Sequence, residues 1–355
     1  MIKFKSINYR LLLPCLLLFS LSLVIIRSIA PNFLFLQLIF GLLSFTVFLF
    51  FSQLDHRLIF SLHLLIALAT IVLLAMPFFL GHTSRGATRW LFFNGFTLQP
   101  SEIAKPFLLM SFIMLFYSRH RFRNLLLGFI FLLPLSLVFL QPDLGTFLVL
   151  LTGFIVVLLS RYRLMTLFFW FVLIVAIAAP LSRFLLRDYQ RQRLITFINP
   201  YADPLGSGYH VIQSMISVGS GGFAGRGLGQ GTQSQLRFLP EHQTDFIFAS
   251  LSEELGFVGA SIVIGTYLYL YYQIYCISKN VQDAAASSYC LSVLSMLAFQ
   301  TLVNIGMNLG IVPITGVTLP FLSVGGSSLL SSGISLGLIA GINQTYRRQG
   351  IYQVG

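Results

Sequence analysis

Acidic residues gather in one short stretch of an otherwise apolar chain. The segment from Leu239 to Glu254 holds four of the ten acidic residues, namely Glu241, Asp245, Glu253 and Glu254. A charged group within a bilayer costs roughly 2.5–3.5 kcal/mol on insertion scales, so such residues are usually paired or functional. We therefore expect the chemistry of this chain in this segment.

These four acids are predicted to have different surroundings. Asp245 precedes a long apolar helix, where the helix macrodipole stabilises a carboxylate by about 0.3–1 kcal/mol, and Thr244 is a candidate cap for that helix. Glu253 and Glu254 are expected about two turns, or about 12 Å, further along it. We predict that these two pair with Lys105 or with neighbouring polar groups.

A second polar cluster contains Arg89, Trp90, Glu102 and Lys105. Pro100 and the polar residues after it are typical of a helix start. Glu102 and Lys105 are three residues apart, so they share one face of that helix. The pair is predicted either to lock the helix to its neighbours as an ion pair or to act directly in the site, and both roles can hold together.

A third motif, Gln141-Pro-Asp143-Leu-Gly-Thr146, lies between two apolar runs. A tight turn followed by a helix is expected here. Asp143 is therefore predicted to cap the next helix, because an aspartate at that position accepts from the exposed N–H groups of the first turn. A role in the functional site is the alternative.

A glycine-rich stretch, 203–233, contains His210, Arg226 and Gln233. It lacks the preceding strand of a dinucleotide fingerprint and the Gly-Lys-Ser/Thr of a Walker loop. Its glycines allow close backbone approach to a ligand. A turn of this kind with Arg226 can cradle a pyrophosphate through backbone N–H groups, and a bare flexible loop is the alternative.

Membrane-spanning helices must position these residues. The chain is 56% hydrophobic and 9% charged, whereas a soluble domain carries about 25% charged residues. Its continuous apolar runs of about 17–25 residues favour helices over a barrel. The sequence predicts an all-α polytopic membrane protein with about ten spans, near 11–28, 33–53, 58–80, 101–117, 125–140, 144–159, 165–182, 246–275, 288–310 and 322–343.

Basic residues in the short loops predict the orientation of these spans. Most fall on one side, which we assign to the cytoplasm together with both termini. The segment 81–100 and a large loop, 183–244, then face the outside, so the chemistry is expected there, within a single domain of residues 1–355. The net charge of +12 suits anionic lipids or a phosphate-bearing substrate. No basic domain outside the spans points to nucleic acid.

Four motifs in this order and spacing resemble the SEDS family of cell-wall polymerases (RodA, FtsW and SpoVE). The most specific pieces are 86–105, 141–146, 208–254 and 313–328. Within the family, Asp203 to His210 and the residues before Leu239 resemble the RodA branch most. Two details depart from the usual pattern, since Gln243 stands where the family has His and Val324 where it has Tyr.

The resemblance implies peptidoglycan glycosyl transfer, in which lipid II molecules are joined into β-1,4 glycan strands on the outer leaflet of the bacterial inner membrane. An inverting displacement needs a base for the acceptor hydroxyl and positive charge on the departing pyrophosphate. The matching family position makes Asp245 the base. Candidates for binding the pyrophosphate are Arg89, Lys105, Arg226 and Gln233, with a Mg or Mn ion as a further candidate. Supporting residues are Trp90, Glu102, Asp143, His210, Glu241, Glu253 and Glu254.

The same resemblance implies a class B penicillin-binding protein as partner and a role in cell-wall elongation, with a division-type polymerase as the alternative. Two other functions suit the residues. Many spans with acids at membrane depth are also typical of a transporter or lipid flippase, although such proteins often contain inverted repeats and none is visible here. The second of these functions is that of a structural protein that only positions a transpeptidase.

Overall fold

The computed structural model describes residues 8–84, 87–93, 96–160, 162, 165–166, 193, 195–204, 206 and 208–352. The predicted span 165–182 and the first part of the loop 183–244 lie outside these residues, apart from two positions at the start of the span. The described helices are α1 (Tyr9–Ile29), α2 (Leu34–Gln53), α3 (His56–Ser61), α4 (His63–Leu80), α5 (Pro100–Tyr117), α6 (Arg123–Leu140), α7 (Leu144–Leu159), α8 (Tyr209–Ser220), α9 (Thr232–Gln235), α10 (Ile247–Asn280), α11 (Ala284–Asn308) and α12 (Gly326–Tyr352).

Six of the described helices are long and apolar enough to cross a membrane. They are α1, α2 with the short turn before it, α4, α6, α10 and α11, while α7 is apolar but shorter. This arrangement confirms the predicted helical, multi-pass membrane fold.

One part of the chain departs from an all-helical fold. The segment between α4 and α5 forms a three-stranded antiparallel sheet of β1 (His82–Ser84), β2 (Ala87–Phe93) and β3 (Phe96–Leu98). Trp90 of β2 pairs with His82, and Leu91 pairs with Leu98. The sheet places Arg89 and Trp90 beside the start of α5.

The helix α5 forms the centre of the protein. Fourteen of its eighteen residues are buried, and it packs against α4, α6, α7, α11 and α12. Because α5 is enclosed by other helices, its polar residues at the first two turns face protein rather than lipid.

Close backbone packing joins α12 to α2. A Cβ added at Gly333 would lie 2.5 Å from the carbonyl oxygen of Ser44, and one at Gly337 would lie 2.7 Å from that of Phe48. Small residues spaced four apart let two membrane helices approach in this way. Ser44 Oγ also donates to the carbonyl oxygen of Leu329 at 2.6 Å.

The long helix α10 is broken near its start, at Gly256. This residue has φ 63° and ψ −160°, and a Cβ there would lie 2.2 Å from the backbone nitrogen of Gly225. The break leaves N–H groups without intrahelical acceptors. Phe257 N donates instead to the carbonyl of Gly222 at 2.9 Å, and Val258 N donates to that of Phe223 at 3.2 Å.

The glycine-rich stretch also binds the other side of this break. Arg226 N donates to the carbonyl of Glu253 at 2.9 Å, and Gly227 N donates to that of Glu254 at 3.0 Å. Glu253 and Glu254 therefore end the short first part of α10. They lie about two turns along the helix, as the sequence predicted, and the helix is broken two residues later, at Gly256.

Candidate active site

Several predicted site residues line one cavity of about 340 Å³. The segment before α10 contributes Glu241 and Asp245, β2 contributes Arg89 and Trp90, and α5 contributes Glu102. The opposite wall is formed by the middle and the last residues of the segment joining α11 to α12, and by the first residues of α12. Its lining residues are Gly316, Val317, Thr318, Val324, Gly325, Gly326, Ser327 and Ser328.

The carboxylate of Asp245 faces this opposite wall. A Cβ added at Gly316, whose φ is +74°, would lie 3.6 Å from Asp245 Oδ2. A larger residue at this position would therefore be strained and would narrow the cavity beside the carboxylate. The glycine leaves room at the group that a substrate must reach.

Thr244 does not cap α10 as the sequence suggested. The N-cap is Phe246, which makes no side-chain cap, and Thr244 Oγ1 donates to Glu241 Oε2 at 3.2 Å. Asn308 of α11 accepts instead from Ala249 N in the first turn, at 2.9 Å. This asparagine satisfies one of the N–H groups that a helix start leaves without a partner.

The backbone before Asp245 is held by the opposite wall. Ser323 Oγ donates to the carbonyl of Thr244 at 2.7 Å, and Val324 N donates to that of Gln243 at 3.0 Å. The two departures from the family pattern, Gln243 and Val324, therefore meet through their main chains. Such a contact does not depend on either side chain.

Asp143 organises the cationic side of the cavity. It caps α7 as predicted, accepting from Thr146 N at 3.1 Å. It also accepts from Gln99 Nε2 at 2.6 Å, and its Oδ1 lies 3.6 Å from Arg89 Nη1. Asp143 is 4% exposed, so the cap and the ion pair share one buried carboxylate that orients Arg89.

Glu102 and Lys105 form the predicted ion pair, with Lys105 Nζ 2.7 Å from Glu102 Oε2. Glu102 lines the cavity, whereas Lys105 is 1% exposed and does not. The ammonium group therefore lies behind Glu102. It acts on the cavity through that carboxylate.

Glu253 is enclosed by hydrogen-bond donors. Its two oxygens accept from Gln233 N at 2.8 Å, from Ser234 N and Oγ at 3.0 and 2.8 Å, and from Ser217 Oγ at 3.2 Å. Glu253 is 0% exposed. Of the two alternatives from the sequence, pairing with neighbouring polar groups is correct, because Lys105 pairs with Glu102.

Glu254 joins three parts of the chain. Its Oε1 accepts from Ser28 Oγ at 2.6 Å, from Gly229 N at 3.1 Å and from Gln235 Nε2 at 3.0 Å. These donors belong to α1, the glycine-rich stretch and α9. Glu254 therefore has a structural environment, and like Glu253 it does not line the cavity.

Arg226, Gln233 and His210 do not line the cavity either. The Arg226 guanidinium donates to the carbonyl of Ser220 at 3.3 Å and to Thr232 Oγ1 at 3.2 Å. The His210 ring stacks on Phe246 with centroids 6.3 Å apart. His210 and Gln233 support the segment that carries Asp245, since Gln233 O accepts from Leu239 N at 3.1 Å. Arg226 holds the glycine-rich stretch together, and none of the three residues reaches the cavity.

The sequence reasoning missed two residues beside Asp245. Asn304 and Asn308 each donate from Nδ2 to the backbone carbonyl of Asp245, at 3.0 and 3.1 Å. Two amides one turn apart in an apolar helix were the available signal, because a buried polar group needs a partner.

The described residues contain no group of three His, Cys, Asp or Glu side chains arranged to hold a metal ion. Magnesium, however, is commonly bound by one or two carboxylates together with substrate phosphates. Asp245 and Glu241 line the same cavity and offer ligands of that type. The residues present therefore fit an ion that takes its remaining ligands from a pyrophosphate and water.

Comparison with known proteins identifies the family. The FtsW/RodA/SpoVE family model, described as a cell cycle protein, matches residues 4–348. The peptidoglycan glycosyltransferase MrdB of Escherichia coli K12 is 40% identical over 283 residues, which cover 78% of this chain and 76% of that protein. The peptidoglycan glycosyltransferase RodA of Treponema pallidum is 34% identical over 425 residues, covering 96% and 98%.

Comparison with solved structures points to the same family. A chain from a peptidoglycan synthase complex superposes with a TM-score of 0.83 at 29% identity and covers 96% of this chain and 98% of that one. RodA of Thermus thermophilus superposes with a TM-score of 0.70 at 26% identity, covering 95% and 97%. This chain belongs to the FtsW/RodA/SpoVE family of multi-pass membrane proteins, and the resemblance seen in its motifs is confirmed.

Proposed function

We propose that this chain is a peptidoglycan glycosyltransferase that polymerises lipid II into β-1,4 glycan strands, with Asp245 as the general base. One observation carries the proposal: Asp245 lines a cavity of about 340 Å³ in which Arg89 lies on another wall. A base and a cation in one cavity are what an inverting displacement at a pyrophosphate-linked sugar requires. Relatives named as peptidoglycan glycosyltransferases support this activity.

In this reaction Asp245 takes the proton of the acceptor hydroxyl as that oxygen attacks the anomeric carbon of the donor. The bond from that carbon to the pyrophosphate breaks, and the configuration changes from α to β. Arg89 stabilises the departing pyrophosphate. Its side chain stays 28% exposed beside Asp143 and lines the cavity, so a ligand in the cavity can contact it. A Mg or Mn ion held by Glu241 together with the pyrophosphate would add positive charge there and leave Asp245 as the base.

We place the cavity on the outer face of the bacterial inner membrane and both termini in the cytoplasm, because most basic residues of the short loops are predicted on the side opposite the segments 81–100 and 183–244. A class B penicillin-binding protein is the proposed partner, since a structural relative belongs to a peptidoglycan synthase complex. The likeness to proteins named RodA supports a role in elongation.

The test is a polymerisation assay with labelled lipid II and purified chain, with and without a class B partner. Wild-type protein should form moenomycin-insensitive polymer. Asp245→Asn should lower the rate by about 10²–10⁴-fold, the range for loss of a general base. Asp283→Asn is the matched control, because Asp283 caps α11 and asparagine caps equally well.

An Asp245→Asn protein that polymerises at the wild-type rate would exclude the base assignment. The broken helix α10 is also a feature of transporters, although here its freed N–H groups are bound by loop carbonyls. Vesicles in which the wild-type chain moves lipid II across the bilayer and forms no polymer would favour the flippase instead.

A further inference from the structure

Two asparagines on one face of α11 are completely buried. Asn304 and Asn308 are each 0% exposed, and residues four apart lie above one another on a helix. Burying an amide is unfavourable unless it is hydrogen-bonded. The partners of these two side chains therefore show what the pair is for.

The amide of Asn304 joins two walls of the cavity. Its Nδ2 donates one hydrogen to the carbonyl of Asp245 at 3.0 Å and the other to the carbonyl of Val317 at 2.7 Å. Val317 lies beside Gly316, which faces the Asp245 carboxylate. A single NH₂ group thus fixes the distance between the main chain of Asp245 and the wall opposite it.

Asn308 holds the same carbonyl from one turn further along α11. Its Nδ2 donates to Asp245 O at 3.1 Å and to Asn304 O at 2.7 Å. Its Oδ1 accepts from Ala249 N at 2.9 Å, and its own carbonyl accepts from Ser214 Oγ at 2.9 Å. Asn308 therefore connects α8, α10 and Asn304 around one peptide group.

We propose that Asn304 and Asn308 are positioning residues for glycosyl transfer, which act by fixing the main chain of Asp245 and, through Asn304, its separation from the Gly316 wall. The inference rests on the proposed role of Asp245 as base. When the peptide after Asp245 is held by two donors, the Cα–Cβ direction of Asp245 is set. A displacement of about 1 Å at a reacting group can cost about 100-fold in rate.

The test compares Asn304→Ala with Ser292→Ala in the lipid II polymerisation assay. Ser292 is a matched control because it lies in α11, is 0% exposed, and its hydroxyl makes no hydrogen bond within the described residues. Rates are normalised to the amount of folded protein, which the stoichiometry of lipid II binding measures. Asn304→Ala should then lower kcat by about 10–100-fold with little change in KM. Ser292→Ala should keep the wild-type kcat.

Asn308→Ala should lower kcat as well and should also lower the melting temperature, since it removes the bond to Ala249 N. Asn304→Ser, which retains one donor, should give a kcat between those of wild type and Asn304→Ala. It serves as the second variant where Asn304→Ala does not fold.

A wild-type kcat for folded Asn304→Ala, or for Asn304→Ser where only that variant folds, would overturn the inference. A raised KM with unchanged kcat, or an equal loss in Ser292→Ala, would do the same. Asp245→Asn assayed in parallel separates the two proposals. If it is inactive while the asparagine variants match wild type, only the positioning role fails, and if it is fully active, the base assignment itself fails.

Discussion

The two pairs of acidic residues in the segment 239–254 have opposite surroundings. Glu241 and Asp245 line the cavity with Arg89. Glu253 and Glu254 are buried and bind serine, glutamine and backbone N–H donors of the glycine-rich stretch and its neighbours. Both oxygens of Glu253 and Oε1 of Glu254 accept from protein donors, and Glu254 Oε2 is buried, so neither carboxylate is available to a substrate in the cavity. The partners of an acid, more than its place in an acidic segment, therefore indicate whether it does chemistry or holds structure.

The largest expected effect on stability concerns Glu253. In Glu253→Gln an NH₂ group, which is itself a donor, replaces a carboxylate oxygen whose described contacts are all donors. Each buried donor left without an acceptor costs about 1–3 kcal/mol, so the free energy of unfolding should fall by roughly 2–6 kcal/mol. Thermal unfolding in detergent measures this change.

Activity per folded molecule should stay close to wild type in Glu253→Gln. Asp245→Asn should show the reverse, with little change in melting temperature and loss of polymerisation. If Glu253→Gln melts like the wild type yet has no activity, the division of the acids into two kinds is wrong.

A second prediction sharpens the cationic side of the cavity. Arg89→Ala should lower kcat by about 10²–10³-fold, the cost of removing a donor that stabilises charge in a transition state. Arg89→Lys should recover part of this loss, because lysine keeps the charge and lacks the planar fork that meets Asp143. Steady-state kinetics with lipid II checks both variants.

Asp143→Asn is the control for the Arg89 variants. Asparagine still caps α7, so the fold should persist while Arg89 loses its ionic partner, and the loss of rate should be smaller than in Arg89→Ala. Equal kcat in Arg89→Ala and wild type would remove Arg89 from the mechanism.

A third comparison concerns two glycines in α10, and the smallest effect is expected from Gly265. Gly256→Ala places a Cβ 2.2 Å from Gly225 N at φ 63°; a strained residue of this kind costs about 1–3 kcal/mol, and the overlap with backbone atoms adds to that cost. Gly265→Ala meets open space in the same helix and should stabilise the protein by up to about 1 kcal/mol. The melting temperature should fall in Gly256→Ala and rise slightly in Gly265→Ala. Equal shifts in the two variants would show that the break at Gly256 does not anchor the glycine-rich stretch.

Features set by neighbours along the chain were predictable from the sequence. The helix α5 was predicted at 101–117 and begins at Pro100. The Glu102–Lys105 pair and the Asp143 cap also formed as predicted. Helical periodicity and capping relate residues three or four apart, so one segment contains the information.

Contacts between distant segments were decided by the tertiary structure. The sequence alone determined a helical membrane protein with an acidic segment, and its motifs pointed to the family. Packing decided that Asn308, and not Thr244, accepts from the first turn of α10. It also decided that Arg226 binds within the glycine-rich stretch, outside the cavity. Finally, it enclosed Glu253 among donors and turned Asp245 toward Gly316. The physical reason is that a buried polar group takes whichever partner the fold brings within hydrogen-bond distance, and that partner can lie far away in the chain.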